Sequence, residues 1–341
     1  MQPLNIKHAI IVITAILGLM FNSTAYAEKT VIKVAVVMPE GSTWTKTLYR
    51  MVDEVRKQTH GEVDFKVYAG GVSGDEPDVL RKMQVNRIHA AGFSGVGLGI
   101  ILPKIRILEA PLLCRSYDEV DLLKERLYDE FSAGFEKKGF VLLGFAEAGY
   151  VYFFSRENLS EANAFESVKM WAWKGDRLAQ TFLEACGIRT FPLHVTDVNT
   201  GLETGMIDSF YSPPLAAVAF QWYSRVRYML DFPMVNSTGA LLIKKSTFYR
   251  LSKNNQEILR DTARRYCKKL VRLTRQDNIE ARAVLKDAGI QFITPSDDLM
   301  MQFQKIAKRA YDENIPELYS EAFFSQAIKI LEEYRKADSG S

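Results

Sequence analysis

The stretch VIKVAVV (Val31–Val37), continued by MPEGSTWTKTLYRMVDEVRKQTHGEVDFKVYAGGVSGDEPDVLRKMQVNRIHAAGFS (Met38–Ser94), decides the fold. Val31–Val37 is an apolar, β-branched run closed by Pro39-Glu40-Gly41, which reads as a strand and its turn. Trp44–Gln58 then carries Leu48, Met51, Val52 and Val55 at helical spacing. Val63–Tyr68 alternates as a second strand before the turn AGGVSGDEPD. A helix over Val79–Val85 and a third strand over Ile88–Phe93 complete a β-α-β-α-β series. That order predicts a largely parallel sheet with helices on both faces.

The pattern recurs downstream. Phe140–Phe145, Tyr150–Ser155 and Ser167–Trp173 read as strands, the second of them rich in aromatics. Arg177–Cys186 is a helix stopped by Gly187, Ile188–Phe191 a short strand, Val198–Thr204 a helix stopped by Gly205, and Ile207–Tyr211 a strand. Two α/β units predict two lobes, and a cleft between lobes is where small ligands bind. The last third is helical. Ser252 caps an amphipathic helix reaching about Ala288, Ile290–Ile293 returns as a strand, and Pro295–Asp298 opens the final helices. The expected division is 28–148 for lobe I, 149–238 for most of lobe II, 239–337 for elements completing both, and a disordered tail over 338–341.

The N-terminus sets the compartment. Lys7 and His8 precede the apolar run Ala9–Phe21, and Ala25-Tyr26-Ala27 follows as an A-x-A site. This is the grammar of a secretory signal peptide over 1–27, cut after Ala27, and the run falls short of a membrane span of about 20 residues. Removing 27 of 341 residues leaves 314, enough for two domains. It also removes Lys7, so the formal charge falls from +3 to +2. Such a balance excludes an electrostatic nucleic-acid binder. Cys114, Cys186 and Cys267 are odd in number and form no C-x-x-C, so a disulfide framework is absent, with a single bridge left open.

Catalytic signatures are missing, and the chain does not read as an enzyme. His60, His89 and His194 lack paired metal-ligand spacing, and no G-x-S-x-G occurs. No metal or cofactor is expected. Gly92–Gly99 (GFSGVGLG) lacks both the G-x-G-x-x-G order and the Walker lysine, and reads as a strand end that brings backbone close to a cleft.

Lys169–Lys174 (KMWAWK) places Trp171 and Trp173 two apart, hence on one face of a strand. Indoles there are either core or the wall of a cavity, and the need of each N–H for a partner favours a cavity edge.

In motif order and spacing, the chain resembles the extracytoplasmic solute-binding proteins of tripartite ATP-independent periplasmic (TRAP) transporters. The layout of Met38–Ser94 is theirs; ESVKMWAW (Glu166–Trp173) is similar to their L-K-G-x-K-x-R-x-P; TDVNTGLETGMIDSFYSPP (Thr196–Pro214) is similar to E-x-Y-x-A-L-q-t-G-x-v-D-G-x-e-N-P. The resemblance implies a two-lobed α/β periplasmic binding protein fold with an interlobe cleft and long C-terminal helices. It also implies delivery of a small molecule, usually a carboxylate, to a membrane permease. The family clamps that carboxylate with the arginine of K-x-R.

Here Trp171 stands at the arginine position, while Lys169 matches the lysine. Ser212 aligns with the family asparagine, Asn199 with the tyrosine and Asp197 with the glutamate. The expected ligand set is therefore Trp171, Trp173, Ser212, Asn199 and Asp197, with Tyr211, Tyr150, Glu147, Trp44 and Ser94. Exchanging a guanidinium for an indole disfavours a small dicarboxylate and rewards apolar area. The expected ligand has an apolar or aromatic body. A cation boxed by aromatics, with Asp197 or Glu147 as countercharge, is a variant. A conventional carboxylate receptor needs another basic residue in the cleft, for example Arg156. A periplasmic helical-repeat accessory protein is a further expected partner, and a sensor for a membrane receptor is an alternative role.

Overall fold

The computed structural model describes residues 29–338. The expected signal segment 1–27 lies outside them, as do residues 339–341 of the expected tail. Asp338, the first residue of that tail, instead closes the last helix.

The elements run as β1 (Thr30–Ala35), α1 (Thr43–Gln58), β2 (Val63–Tyr68), α2 (Glu76–Gln84), β3 (Ala90–Ser94) and α3 (Gly95–Ile101). A 3-10 segment Pro103–Glu109 leads to α4 (Tyr117–Arg126), α5 (Tyr128–Lys137) and β4 (Phe140–Ser155). Then come β5 (Lys169–Trp173), α6 (Arg177–Ala185), β6 (Arg189–Leu193), α7 (Val198–Thr204), β7 (Ser209–Ser212) and α8 (Pro214–Ala219). The chain ends with β8 (Tyr228–Leu230), β9 (Val235–Lys244), α9 (Lys245–Phe248), α10 (Lys253–Asp287), β10 (Gln291–Ile293), α11 (Asp297–Leu318) and α12 (Glu321–Asp338). Local chemistry sets the helix starts. Ser42, Asp75, Ser94, Ser116, Asp176, Ser252 and Ser296 each accept a hydrogen bond from the first turn they precede.

The strands form one path, β2-β1-β3-β9-β4-β7-β5-β6, with β8 on β4 and β10 on β8. Its first half, through the β9–β4 pairing, is the sheet of lobe I; the later part of β4 with β7, β5 and β6 is that of lobe II. Each half is packed on both faces. In lobe I, one cluster around Phe131, Phe135 and Leu242 and another around Val55, Leu241 and Leu259 sandwich the sheet. In lobe II, the clusters around Phe153, Phe165 and Phe303 and around Phe154, Trp171 and Phe210 do the same.

Three expectations change. The sheet is mixed: β1 is parallel to β2 and β3, but β9 is antiparallel to both β3 and β4. The two strands expected over 140–155 are one strand, bulged between Leu142 and Gly144 and between Glu147 and Gly149, so a single β4 passes from lobe to lobe. Gly149, at φ +106°, makes the second bulge where Asn278 of α10 presses on it and donates to the Ala148 carbonyl at 2.8 Å. Finally, the glycines after Ser94 open a helix and not a strand end. A Cβ on Gly95 would stand 1.9 Å from Glu109 Oε2, so the glycine admits a buried carboxylate.

Candidate functional site

Where the ends of β1 and β3 in lobe I face β5 and β7 in lobe II, a cavity of about 1050 Å³ opens, counting the space at its mouth. Val37, Met38, Trp44, Ser94 and Val96 line it from lobe I; Trp171, Trp173, Tyr211, Ser212, Phe220 and Trp222 from lobe II. The crossing strands add Ala148, Val151, Phe153 and Val235. The β-strand period puts Trp171 and Trp173 on one face, with ring centroids 5.8 Å apart. Tyr211 stacks on Trp171 at 5.2 Å, and Trp222 meets it edge-on at 5.3 Å. Each indole has its hydrogen bond: Trp171 Nε1 donates to the Leu193 carbonyl at 3.1 Å and Trp173 Nε1 to Asp75 Oδ2 at 2.9 Å. Trp171 is 2 % exposed, so it is core and cavity wall at once.

The polar groups of the cavity join the lobes. Arg106, from the 3-10 segment of lobe I, donates to Asp176 Oδ1 of lobe II at 2.7 Å. Its Nη1 lies 2.7 Å from Glu109 Oε2 but makes no hydrogen bond there. Glu109 Oε1 accepts from the Thr238 amide at 2.6 Å, and Tyr211 Oη donates to Asp176 Oδ2 at 3.3 Å. Burial pushes the Glu109 carboxyl up to about 7, against the pull of Arg106. Arg106 is the one Lys, Arg or His among the lining residues, and two carboxylates already face it. A second tie runs through Asp75, which caps α2 through Oδ1 and gathers three lobe II donors at Oδ2: Trp173 Nε1, His194 Nδ1 at 3.0 Å and the Val195 amide at 3.2 Å.

Residues 34–317 match the family model of DctP, the bacterial extracellular solute-binding proteins of family 7. The chain belongs to this family. A solute-binding protein of Chromohalobacter salexigens is 24 % identical, covering 80 % of this chain and 81 % of its own. The 2,3-diketo-L-gulonate-binding periplasmic protein YiaO of Escherichia coli is 23 % identical, covering 72 % and 75 %. A TRAP periplasmic solute-binding protein of Xanthobacter autotrophicus, solved with β-D-galacturonate, superposes with a TM-score of 0.81 at 21 % identity, covering 87 % and 98 %. The two-lobed fold and the solute-binding role in transport, as opposed to catalysis, follow from family 7 membership.

Of the residues singled out in the sequence, Trp171, Trp173, Tyr211, Ser212, Trp44 and Ser94 converge on the cavity. Asp197 and Asn199 do not: both are exposed around the start of α7, outside the lining. Glu147 is buried but turned to other work, taking Lys124 Nζ at 3.1 Å and Arg275 Nε at 2.7 Å beneath the β4 crossing. Tyr150 packs on Tyr117, 4.5 Å between centroids, away from the cavity. Arg156 donates to the carbonyls of Leu202 and Arg225 and does not enter. Asp176 and Glu109, with Arg106, are the lining charges that sequence reading missed. Nothing in their spacing relates 106 to 176; only the folding of one lobe against the other does. The three cysteines are free, each thiol pushed up to about 12 by burial.

Proposed function

We propose that this family 7 protein captures an uncharged molecule with an apolar or aromatic body between its lobes. The cargo is handed to a TRAP permease in the membrane. The observation that carries the reading is the pairing of an aromatic wall, Trp171 with Trp173, Tyr211 and Trp222, with a lining arginine that is already balanced by Asp176 and Glu109. An incoming carboxylate would meet two resident carboxylates, and like charges in a desolvated site cost several kcal/mol. Titrating the purified chain with indole and with glucuronate tests this: indole binds and glucuronate does not. Tight glucuronate binding at neutral pH overturns it.

Two observations favour a second reading, a carboxylate receptor. Arg106 Nη1 is buried without a hydrogen-bond partner, and the names of YiaO's ligand and of the Xanthobacter protein's are those of sugar acids. On this reading Glu109 takes a proton and Arg106 turns to the ligand, so glucuronate binding strengthens as pH falls below about 7. Export with a cut after Ala27 and the lobe division at 148 and 238 belong to the same proposal. A helical-repeat accessory protein fits an apolar cargo, and pull-down from periplasm with the tagged chain tests that partner against a sensor's membrane receptor.

A further inference from the structure

Behind Trp44 lies a second cavity, about 730 Å³ with its mouth counted, between the lobe I sheet and the helices α1 and α10. Leu48 and Met51 of α1 and Cys267 and Leu270 of α10 roof it. Its floor is cut by small residues. Ser94 of β3 pairs with Gly239 of β9, which pairs in turn with Ala146 of β4, so two short side chains flank a position with none on neighbouring strands. Interior strands covered by helices are ordinarily close-packed. Yet Val36, Gly92, Ala146 and Ser237 are only partly buried, because the side chains above do not reach them. Apolar surface left uncovered in this way is stabilised when a ligand covers it. The second cavity adjoins the interlobe cavity: Met38, Trp44, Ser94, Ala148 and Ser237 line both. Glu147, the one charged residue on its wall, is occupied by Lys124 and Arg275 and offers a ligand nothing.

We infer that the lobe I cavity is a second ligand subsite, which takes the straight alkyl end of an elongated neutral ligand whose other end lies in the interlobe cavity. The Trp44 indole, held by a 3.2 Å bond from Nε1 to the Glu147 carbonyl, is the partition that turns aside to join the two spaces. This inference rests on the apolar-ligand reading above.

The test uses the chain without residues 1–27 and the 1-alkanols from hexanol to dodecanol, titrated calorimetrically. In the wild type, affinity rises about fourfold per methylene, the equivalent of about 0.8 kcal/mol, through the longest chains. Ala146→Leu fills the floor of the second cavity without touching the first, and Leu270→Trp fills its rim from a partly exposed helix position. Each leaves hexanol affinity unchanged and lowers dodecanol affinity at least tenfold. If hexanol binds and both variants follow the wild-type length dependence, the subsite is wrong and the apolar reading stands. If indole binds the wild type and no alkanol does, the subsite is wrong and the apolar reading stands; if neither indole nor any alkanol binds, both fall.

Discussion

Trp173 Nε1 donates to Asp75 Oδ2 across the interlobe gap at 2.9 Å, so a residue of the cavity wall is also a strap between lobes. The same oxygen takes His194 and Val195 from lobe II, while the other oxygen caps α2 in lobe I. Asp75 is 1 % exposed, and an acceptor so buried is costly to leave with donors unmet. These groups meet only where the two lobes face each other. Arg106 on Asp176 forms the second strap, on the far side of Trp171 and Tyr211 in the chain of contacts.

Asp75→Asn keeps the oxygen that caps α2 and places an NH₂ where three donors converge. The folded lobes survive, but the tie between them loses its acceptor. Indole affinity falls about fivefold to 150-fold, the range of about one to three kcal/mol for unmet buried donors. Small-angle scattering of the indole-saturated variant shows a larger radius of gyration than the wild type. Equal affinities would rule out the strap.

Glu109 gives stability a pH dependence of definite sign. Its carboxyl is raised from 4.5 to about 7 by burial, so between those values the unfolded chain releases a proton that the folded chain retains. The contribution is fully present below about 4.5 and is lost as pH rises through about 7. Glu109→Gln removes this titration. The melting temperature of the variant therefore declines less than that of the wild type between pH 4.5 and 7. Parallel curves would show that Glu109 titrates normally in the folded state.

Gly149 holds a φ of +106° at the point where β4 passes between lobes, and an added Cβ would stand 2.3 Å from Asn278 Nδ2. Asn278 in turn bonds Ala148 and accepts from the Leu215 amide at 3.0 Å, fastening α10 and α8 to the crossing. Gly149→Ala combines backbone strain with the displacement of that amide, and lowers stability by about 1–3 kcal/mol. A chemical denaturation curve reads it; an unchanged midpoint would mean the crossing is free to adjust.

Much of this architecture is legible in local pattern. Ser252 announces its helix, and Gly187 and Gly205, at φ +74° and +71°, end theirs where expected. Pairing direction is not so legible. β9 contains the apolar run Ala240–Ile243, whose partners on β3 and β4 are set by burial on both faces, which periodicity does not encode. The site divides in the same way. Trp171 and Trp173 announce a wall because strand spacing puts them side by side, whereas Asp197 and Asn199, placed by analogy of motif, turn out to solvent at the start of α7. The charges that matter, Arg106 and Asp176, are 70 residues apart and meet only across the gap between lobes.

The exchange at Trp171 is the direct test of what the cavity selects. Trp171 is buried, stacked on Tyr211 and hydrogen-bonded to the Leu193 carbonyl, a group that a guanidinium also satisfies. Trp171→Arg therefore retains a donor to Leu193 while replacing a flat apolar wall with a cation. Loss of the indole's packing lowers stability by up to about 3–5 kcal/mol, the cost of truncating a buried aromatic. Circular dichroism and a melt establish that the variant is folded before any titration. Indole affinity then falls at least tenfold, and glucuronate binds the variant measurably and more tightly than it binds the wild type. If glucuronate binds wild type and variant alike, the arginine position does not decide the ligand class, and Arg106 becomes the group that does.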